Sequence, residues 1–451
     1  MNTIPMKYLK YTVAAMLVLT GTVTTFAQTA DSVLTLQQCL DVAIKNNLLV
    51  KQSELDLERN RISYQQAREN MLPSFNGSID HNISDGHSLN PSTNQYATTQ
   101  FTSATYGLNS SITLSSGLTL QNAVKQTSLA YQAGQMDFQQ AKDNLTLNVI
   151  TSYLQVLNAE DQLTQANSQS AVSQKQTERQ ETLNKEGAVL PSAYYDLKGQ
   201  AAADKLNVVN AKSALDIAKL TLLQLMNVPY NKNVRIQRQL ADQLPTQYNE
   251  TADQIYSKAL TDLAYVKAAD LRRQSAEKGV QVAKGALIPS ISLGGNLATN
   301  YASSGSSSGP TPGYVTQLQN NYGTSLGVGI NVPILNYFQN RNKVKLARLD
   351  LLNTQYVEQN TRIQLRENID QAYVNMTAAY DRYKLLVEQV DAFAESFRIA
   401  EIRFNSGVLT SVDFLIVKGN LDRAKTSLIS SRYDYLIRTK ILDYYQGRLS
   451  L

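Results

Sequence analysis

Leu72-Pro73-Ser74-Phe75-Asn76-Gly77-Ser78-Ile79 and Ile288-Pro289-Ser290-Ile291-Ser292-Leu293 are two versions of one pattern, 216 positions apart. Outward from them the correspondence continues in order. Tyr106-Gly107 recurs as Tyr322-Gly323 at 216, and Gln121-Asn122 as Gln339-Asn340 at 218. Tyr153 recurs as Tyr373, Gly187 as Gly407 and Lys198-Gly199 as Lys418-Gly419, all at 220. Self-similarity that keeps its order along a chain marks a duplicated structural unit. The copies are expected at 28–226 and 251–451, joined by a segment 227–250 that carries Pro229 and Pro245 and little periodicity.

Each proline opens a stretch of alternation. Ser74, Asn76, Ser78, Asp80, Asn82 and Ser84 are polar, and Phe75, Ile79 and Ile83 stand between them. Tyr106, Leu108, Ile112 and Leu114 alternate with Gly107, Asn109, Ser111 and Thr113. The second copy repeats this at Ile291, Leu293 and Leu297, then at Tyr322, Leu326, Val328, Ile330, Val332 and Ile334. A period of two over about ten residues predicts strands with one apolar face, long enough for a tilted bilayer crossing. Two β-hairpins are therefore expected, at about 73–115 and 289–335. Their connections, Asp85 to Gln100 and the Ser- and Gly-rich Ala302 to Gln319, read as polar loops. His81 and His87, the two histidines, fall beside or in the first loop and read as polar surface rather than a metal site.

The rest of each copy is helical. From about Tyr337 to Asn405 there is neither proline nor glycine, enough for a helix on the order of 100 Å. Its apolar seam steps by four and three through Ile369, Tyr373, Met376, Tyr380, Tyr383, Val387, Val390, Ala394, Phe397 and Phe404, a coiled-coil period. After Gly407 a companion seam runs through Val417, Leu421, Ala424, Leu428, Ser431, Tyr435 and Leu442. The first copy carries it at Leu197, Ala201, Val208, Ala211, Leu215, Ala218, Leu222 and Leu225. Long helical hairpins are thus expected at about 117–226 and 337–447, turning at the two glycines. The fold class is mainly α with membrane β, a duplicated helix–β-hairpin–helix unit.

Composition narrows the function. The chain has 451 residues, 43% hydrophobic and 18% charged, with a formal net charge of +5. Two of those charges, Lys7 and Lys10, precede the apolar run Val13 to Leu19, and Thr25-Phe26-Ala27 closes it. Residues 1–27 therefore read as a signal peptide. The remaining charge is too small to suggest nucleic acid as a partner. Cys39 is the one cysteine; it follows Gln38, far from the apolar run, and reads as a free thiol packed on a helix rather than a lipid attachment site. One cysteine, two histidines and no glycine-rich phosphate loop argue against an enzyme, and no cofactor or metal is expected. The carboxylates read as solvated positions along helical faces.

Four strands cannot close a barrel, and an open sheet edge cannot lie in lipid. A closed ring of several copies follows, and three copies give twelve strands. A monomeric porin is excluded by strand count. The competing assembly is a trimeric coiled-coil surface adhesin with a shared barrel anchor, but its strands gather at the C-terminus. Here the hairpins stand far apart with helices on both sides.

From about Leu34 to Gly447 the chain resembles the TolC family of outer-membrane efflux proteins. The resemblance rests on the duplicated plan and the Leu-Pro-Ser strand entry. It also rests on Phe404-Asn405-Ser406-Gly407-Val408-Leu409-Thr410-Ser411-Val412-Asp413, and on Lys425 and Arg432-Tyr433-Asp434-Tyr435-Leu436 downstream. It implies a homotrimer with a twelve-stranded barrel in outer-membrane lipid and a helical tunnel in the periplasm of a Gram-negative bacterium. The tunnel's lower end would open when an inner-membrane pump and a periplasmic adaptor dock, in tripartite efflux or type I secretion. The turns Gly187-Ala188-Val189 and Gly407-Val408-Leu409 would form the tip that meets the adaptor; alternatively the glycines simply end helices in left-handed conformations. Asp413 matches an acidic position of the family's gate, and Thr410-Ser411-Val412-Asp413 is equally a helix-capping pattern. The chain departs from the family where Ile416 replaces a second acid, Phe404 a tyrosine and Leu409 a basic residue.

Overall fold

The computed structural model describes residues 33–90, 94–238, 246–303 and 311–448. The expected signal peptide and most of the Ser- and Gly-rich run before Pro310 lie outside the described residues. The first copy comprises β1 (Val33–Leu34), α1 (Leu36–Asn46), α2 (Leu48–Glu69), β2 (Ser74–Asn90), β3 (Gln95–Ser115), α3 (Thr119–Lys185) and α4 (Pro191–Leu225). β4 (Arg235–Ile236) lies between the copies. The second comprises α5 (Ala252–Asp262), α6 (Ala264–Gly285), β5 (Ser290–Ala302), α7 (Tyr314–Asn320), β6 (Gly323–Asn331), α8 (Gln339–Asn405) and α9 (Ser411–Tyr445).

Corresponding helices have equal lengths: 11 residues for α1 and α5, 22 for α2 and α6, 67 for α3 and α8, 35 for α4 and α9. The first helix of each copy starts on the same device. Thr35 and Thr251 accept from the N–H of Gln38 and Gln254, whose side chains bond back to the threonine N–H. Such a capping box satisfies two helix-end groups at once. At 67 residues, α3 and α8 are each about 100 Å long. α4 folds back along α3 and α9 along α8, while α9 also packs on α3 and so joins the copies. The seam residues expected to face inward, from Ile369 to Phe404 and from Val417 to Leu442, are buried or half-buried throughout.

The strands form one sheet in the order β2-β3-β5-β6, antiparallel at every pairing. The register aligns Ile79 with Tyr106 and Tyr106 with Thr299, then Leu108 with Leu297 and Leu293 with Val328. One face of the sheet is therefore apolar across all four strands. The other carries Asn76, Ser78, Asn109, Asn296 and Ser325. Apolar residues on the first face remain uncovered, Ile79 at 74% exposure and Leu326 at 79%. No helix among the described residues is long and apolar enough to cross a membrane.

Three expectations need correction. Much of the region from Asp85 to Gln100 is strand, because β2 and β3 stay paired as far as Asn90 and Gln95. The apolar alternation that runs through Ile79 and Ile83 stops at Asp85, so the sequence gives no signal for the pairing beyond it. The region from Ala302 to Gln319 contains α7, seven residues that periodicity is too short to reveal. The joint 227–250 is not a free linker: β4 pairs in parallel with β1, and Val228, Val234 and Ile236 enter the first core.

Two cores lie about midway along the long helices α3 and α8. One gathers Cys39, Val149, Tyr153, Leu222 and Ile236, the other Ile255, Ile369, Met376 and Leu442. α9 feeds both, Tyr433 into the first and Tyr435 into the second. Tyr433 donates to Asp161 at 2.7 Å, and Tyr153 to the Gln237 carbonyl at 2.5 Å. Cys39 is wholly buried, and burial pushes its thiol up to about 12.

Candidate functional site

At the end remote from the sheet, both helical hairpins reverse through the same turn. α3 ends with Gly187 at φ +70 and α8 with Gly407 at φ +75. Gly187 and Ala188 N–H groups donate to the carbonyls of Asn184 at 3.1 Å and Leu183 at 2.9 Å. Gly407 and Val408 do the same to Phe404 at 3.1 Å and Arg403 at 2.9 Å. These are Schellman closures, which consume orphan carbonyls and need a left-handed residue. A Cβ at either glycine would meet nothing within 4 Å, so glycine is required there by backbone conformation alone.

The return helices start differently. α4 begins on Pro191, whose fixed φ suits a first helical position. α9 begins after Thr410, whose hydroxyl accepts from the Asp413 N–H at 3.1 Å and donates to its carboxylate at 2.7 Å. Thr410 is thus the cap, and Asp413, exposed in the first turn of α9, supports it by accepting from the Thr410 hydroxyl. On the same side Val408, Val412 and Ile416 are all more than half exposed, an apolar stripe running from the turn up the first two turns of α9.

The two turns are held against each other. Ser411 donates to Asp196 at 2.8 Å, and Arg179 reaches from α3 to the Asn405 carbonyl at 2.8 Å and to its side chain. Between them lies a hollow of about 720 Å³ lined by Arg179, Gln180, Leu183, Asp196, Leu409 and Ser411. Above it Phe404 stacks on Phe414 at 4.5 Å between centroids, with Phe397 at 5.7 Å from Phe414 and Leu197, Leu409 and Leu415 around them. Phe404 and Leu409, which depart from the family's polar pattern, are thus the material of an apolar cluster. Within one chain the two turns are packed together through this apolar cluster.

One side-chain cluster escaped the sequence reading. Asp204 of α4 and Lys418 of α9 form an ion pair of 2.9 Å with side chains only 4% exposed, against the expectation that carboxylates lie at solvated positions. Ser173 of α3 donates to the same carboxylate at 2.5 Å, and Gln200 donates to its other oxygen at 2.9 Å. Lys418 also donates to Asp422 at 2.6 Å. Burial holds the Asp422 carboxyl above its usual range, and the Lys418 ammonium only partly offsets this. Three helices from both copies meet in this cluster. Among the described residues no group of three His, Cys, Asp or Glu is placed to hold a metal ion.

Comparison with known proteins places this architecture. The outer membrane efflux protein family matches the chain twice, over residues 39–228 and 255–448. The chain belongs to the outer membrane efflux protein family. The two matches follow the two copies of the duplicated unit. Outer membrane protein TolC of Escherichia coli (strain K12) is 23% identical over 421 residues, covering 92% of this chain and 82% of that protein. TolC of Vibrio cholerae is 22% identical over 390 residues, 85% of this chain and 84% of that protein. Among solved structures, the Campylobacter jejuni CmeC outer membrane channel superposes with a TM-score of 0.79 at 18% identity, covering 94% of this chain and 90% of that chain. The Neisseria gonorrhoeae MtrE outer membrane channel in its open state gives 0.76 at 17%, covering 92% and 89%.

As a member of this family the protein is an efflux channel component of the outer membrane, and the adhesin alternative finds no support. Its two hairpins are separated by α3 to α6, unlike an anchor gathered at a C-terminus. The expected site residues occupy one end of the molecule: Gly187, Ala188 and Val189 in one turn, Gly407, Val408 and Leu409 in the other, and Asp413 just inside α9.

Proposed function

We propose that the chain is one protomer of a homotrimeric exit duct. Three four-stranded sheets close a twelve-stranded barrel in the outer membrane, and the helical hairpins form a tunnel across the periplasm of a Gram-negative cell. An inner-membrane pump and a periplasmic adaptor deliver solute to the tip. The duct is passive, with no catalysis and no cofactor. The observation that carries this reading is the sheet: it segregates an apolar face from a polar one, yet β2 and β6 each pair on one side only. Unpaired backbone groups cost several kcal/mol each in hydrocarbon, so the edges need partners, and identical copies supply them. The polar face then lines the lumen.

At the tip, the turns Gly187-Ala188-Val189 and Gly407-Val408-Leu409 form the adaptor contact, supported by the exposed Val408-Val412-Ile416 stripe. Asp413 from three protomers converges on the mouth as a cation-binding constriction, in addition to supporting the Thr410 cap of α9. The test is single-channel recording in planar bilayers. Asp413→Asn keeps the side-chain size and an oxygen that can accept from the Thr410 hydroxyl, and costs the helix about 0.5 kcal/mol of dipole interaction. Its channels are expected to show weaker cation preference and weaker block by multivalent cations from the periplasmic side. A variant that conducts and is blocked like the parent would confine Asp413 to its support of the cap.

A further inference from the structure

α7 lies on the apolar face of the sheet, near the end away from the helices. Three side chains of that face hold it. The Tyr314 and Tyr106 hydroxyls share a hydrogen bond of 2.5 Å, the Tyr314 and Tyr301 rings stand 4.5 Å apart, and Thr299 donates to the Leu318 carbonyl at 2.7 Å. Gln317, itself buried, clamps Ala302 by accepting from its N–H and donating to its carbonyl, both at 3.0 Å, and donates to the Pro312 carbonyl at 2.8 Å. Asn321 donates to the Asn300 carbonyl at 2.8 Å. β5 extends past the last β6 pair, Ala298 with Gly323, so these two side chains engage strand backbone that β6 does not reach. The consequence shows in exposure along β3. Ala104 is 1% exposed, whereas Leu108, on the same face but nearer the helices, is 47% exposed.

Below the helix the face forms an apolar hollow of about 690 Å³, lined by Ile79, Tyr106, Leu108, Leu297, Thr299 and Tyr322. α7 packs over β5, reaches Tyr106 of β3, and through Gln317 and Asn321 covers backbone of β5 that β6 leaves unpaired. The hollow lies on the apolar face of the sheet, the face that a closed barrel of such sheets would turn outward.

We infer that α7 is an interfacial helix of the outer leaflet, and that the hollow beneath it seats a lipid acyl chain. The inference rests on the sheet being a barrel wall with its apolar face toward lipid. The occupant follows from the chemistry. The lining is aliphatic and aromatic and continuous with the lipid-facing surface, while Thr316 and Gln319 on the exposed side of α7 suit the headgroup layer. Tyrosine hydroxyls at this level have the amphipathic character favoured at a membrane boundary. α7 would thus set the upper limit of the hydrocarbon band on this protomer.

The chain contains no tryptophan, so single substitutions give clean fluorescence probes. Val315→Trp, on the exposed side of α7, and Leu326→Trp, on the apolar face of β6, are made in the full chain and reconstituted as assembled protein into phosphatidylcholine vesicles. The acyl chains carry bromine at shallow or deep positions. Leu326→Trp is expected to be quenched most by deep bromine. Val315→Trp should be quenched most by shallow bromine, at least twofold more than by deep, with low sensitivity to aqueous acrylamide. A Val315→Trp probe that acrylamide quenches freely and neither bromine reaches would overturn the inference. If Leu326→Trp also escapes lipid quenching, the barrel-wall reading fails with it, so the two failures are distinguishable. Thr316→Trp replaces Val315→Trp should that variant not assemble.

Discussion

Lys418→Met removes the cation from the buried cluster that joins the two helical hairpins, and its effect can be sized in advance. In the variant Asp204 stays buried at 4% exposure and keeps its hydrogen bonds from Ser173 and Gln200 but has lost its counter-charge. Breaking a buried pair by removing one partner costs about 3–5 kcal/mol. The expected loss is therefore about 3–5 kcal/mol, or roughly two to four powers of ten in local opening. The assay is amide hydrogen exchange by mass spectrometry on assembled, detergent-extracted protein, corrected for intrinsic rates and read on peptides containing Ser173, Asp204 and Lys418. Removing both charges with Asp204→Asn and Lys418→Met together should restore much of the protection, since the fully buried carboxylate is gone and Asp422, the other partner of Lys418, is 21% exposed and keeps contact with water. Protection in Lys418→Met within threefold of the parent at pH 7, or lost equally in the double variant, would refute the reasoning.

Two further outcomes follow from the structure. Val408→Asp places a charge on a residue 68% exposed at the tip, so it should leave the assembled oligomer intact while lowering export at least tenfold in cells, and unchanged export would remove Val408 from the adaptor contact. Cys39, with its thiol pushed up to about 12 by burial, has roughly one molecule in ten thousand ionised at pH 8, so a thiol reagent should react only after denaturation, and rapid labelling of the native protein would show that the first core opens.

What the sequence revealed and what it concealed divide along a physical line. The strands and the long helices were legible because their signals are local. The period of two at Phe75, Ile79 and Ile83 and the period of 3.5 from Ile369 to Phe404 each depend on neighbours along the chain. The tip glycines were legible for the same reason, since a left-handed closure needs its residue at one position. The buried ion pair was not. Lys198 and Lys418 occupy matching places in the two copies, yet Lys198 is exposed while Lys418 is buried. What separates them is Asp204, brought across from another helix, and position 424 in the second copy is Ala rather than an acid. Phe404 and Leu409 misled in the opposite sense. As a list of residues they looked like lost polar groups, and only Phe414 and Leu197 packed against them make them an apolar cluster. α7 was hidden because seven residues are too few for a helical period, and its hold on β5 runs through Gln317, a residue with no positional signature.

The central claim, that this chain completes its barrel only with copies of itself, is tested most directly by its native mass. Mature protein extracted from outer membranes in mild detergent and measured by native mass spectrometry should carry three chains per particle. No free monomer is expected until conditions that unfold the sheet. A folded particle containing one chain, with its strands protected from exchange, would mean that β2 and β6 need no partner and would contradict the duct.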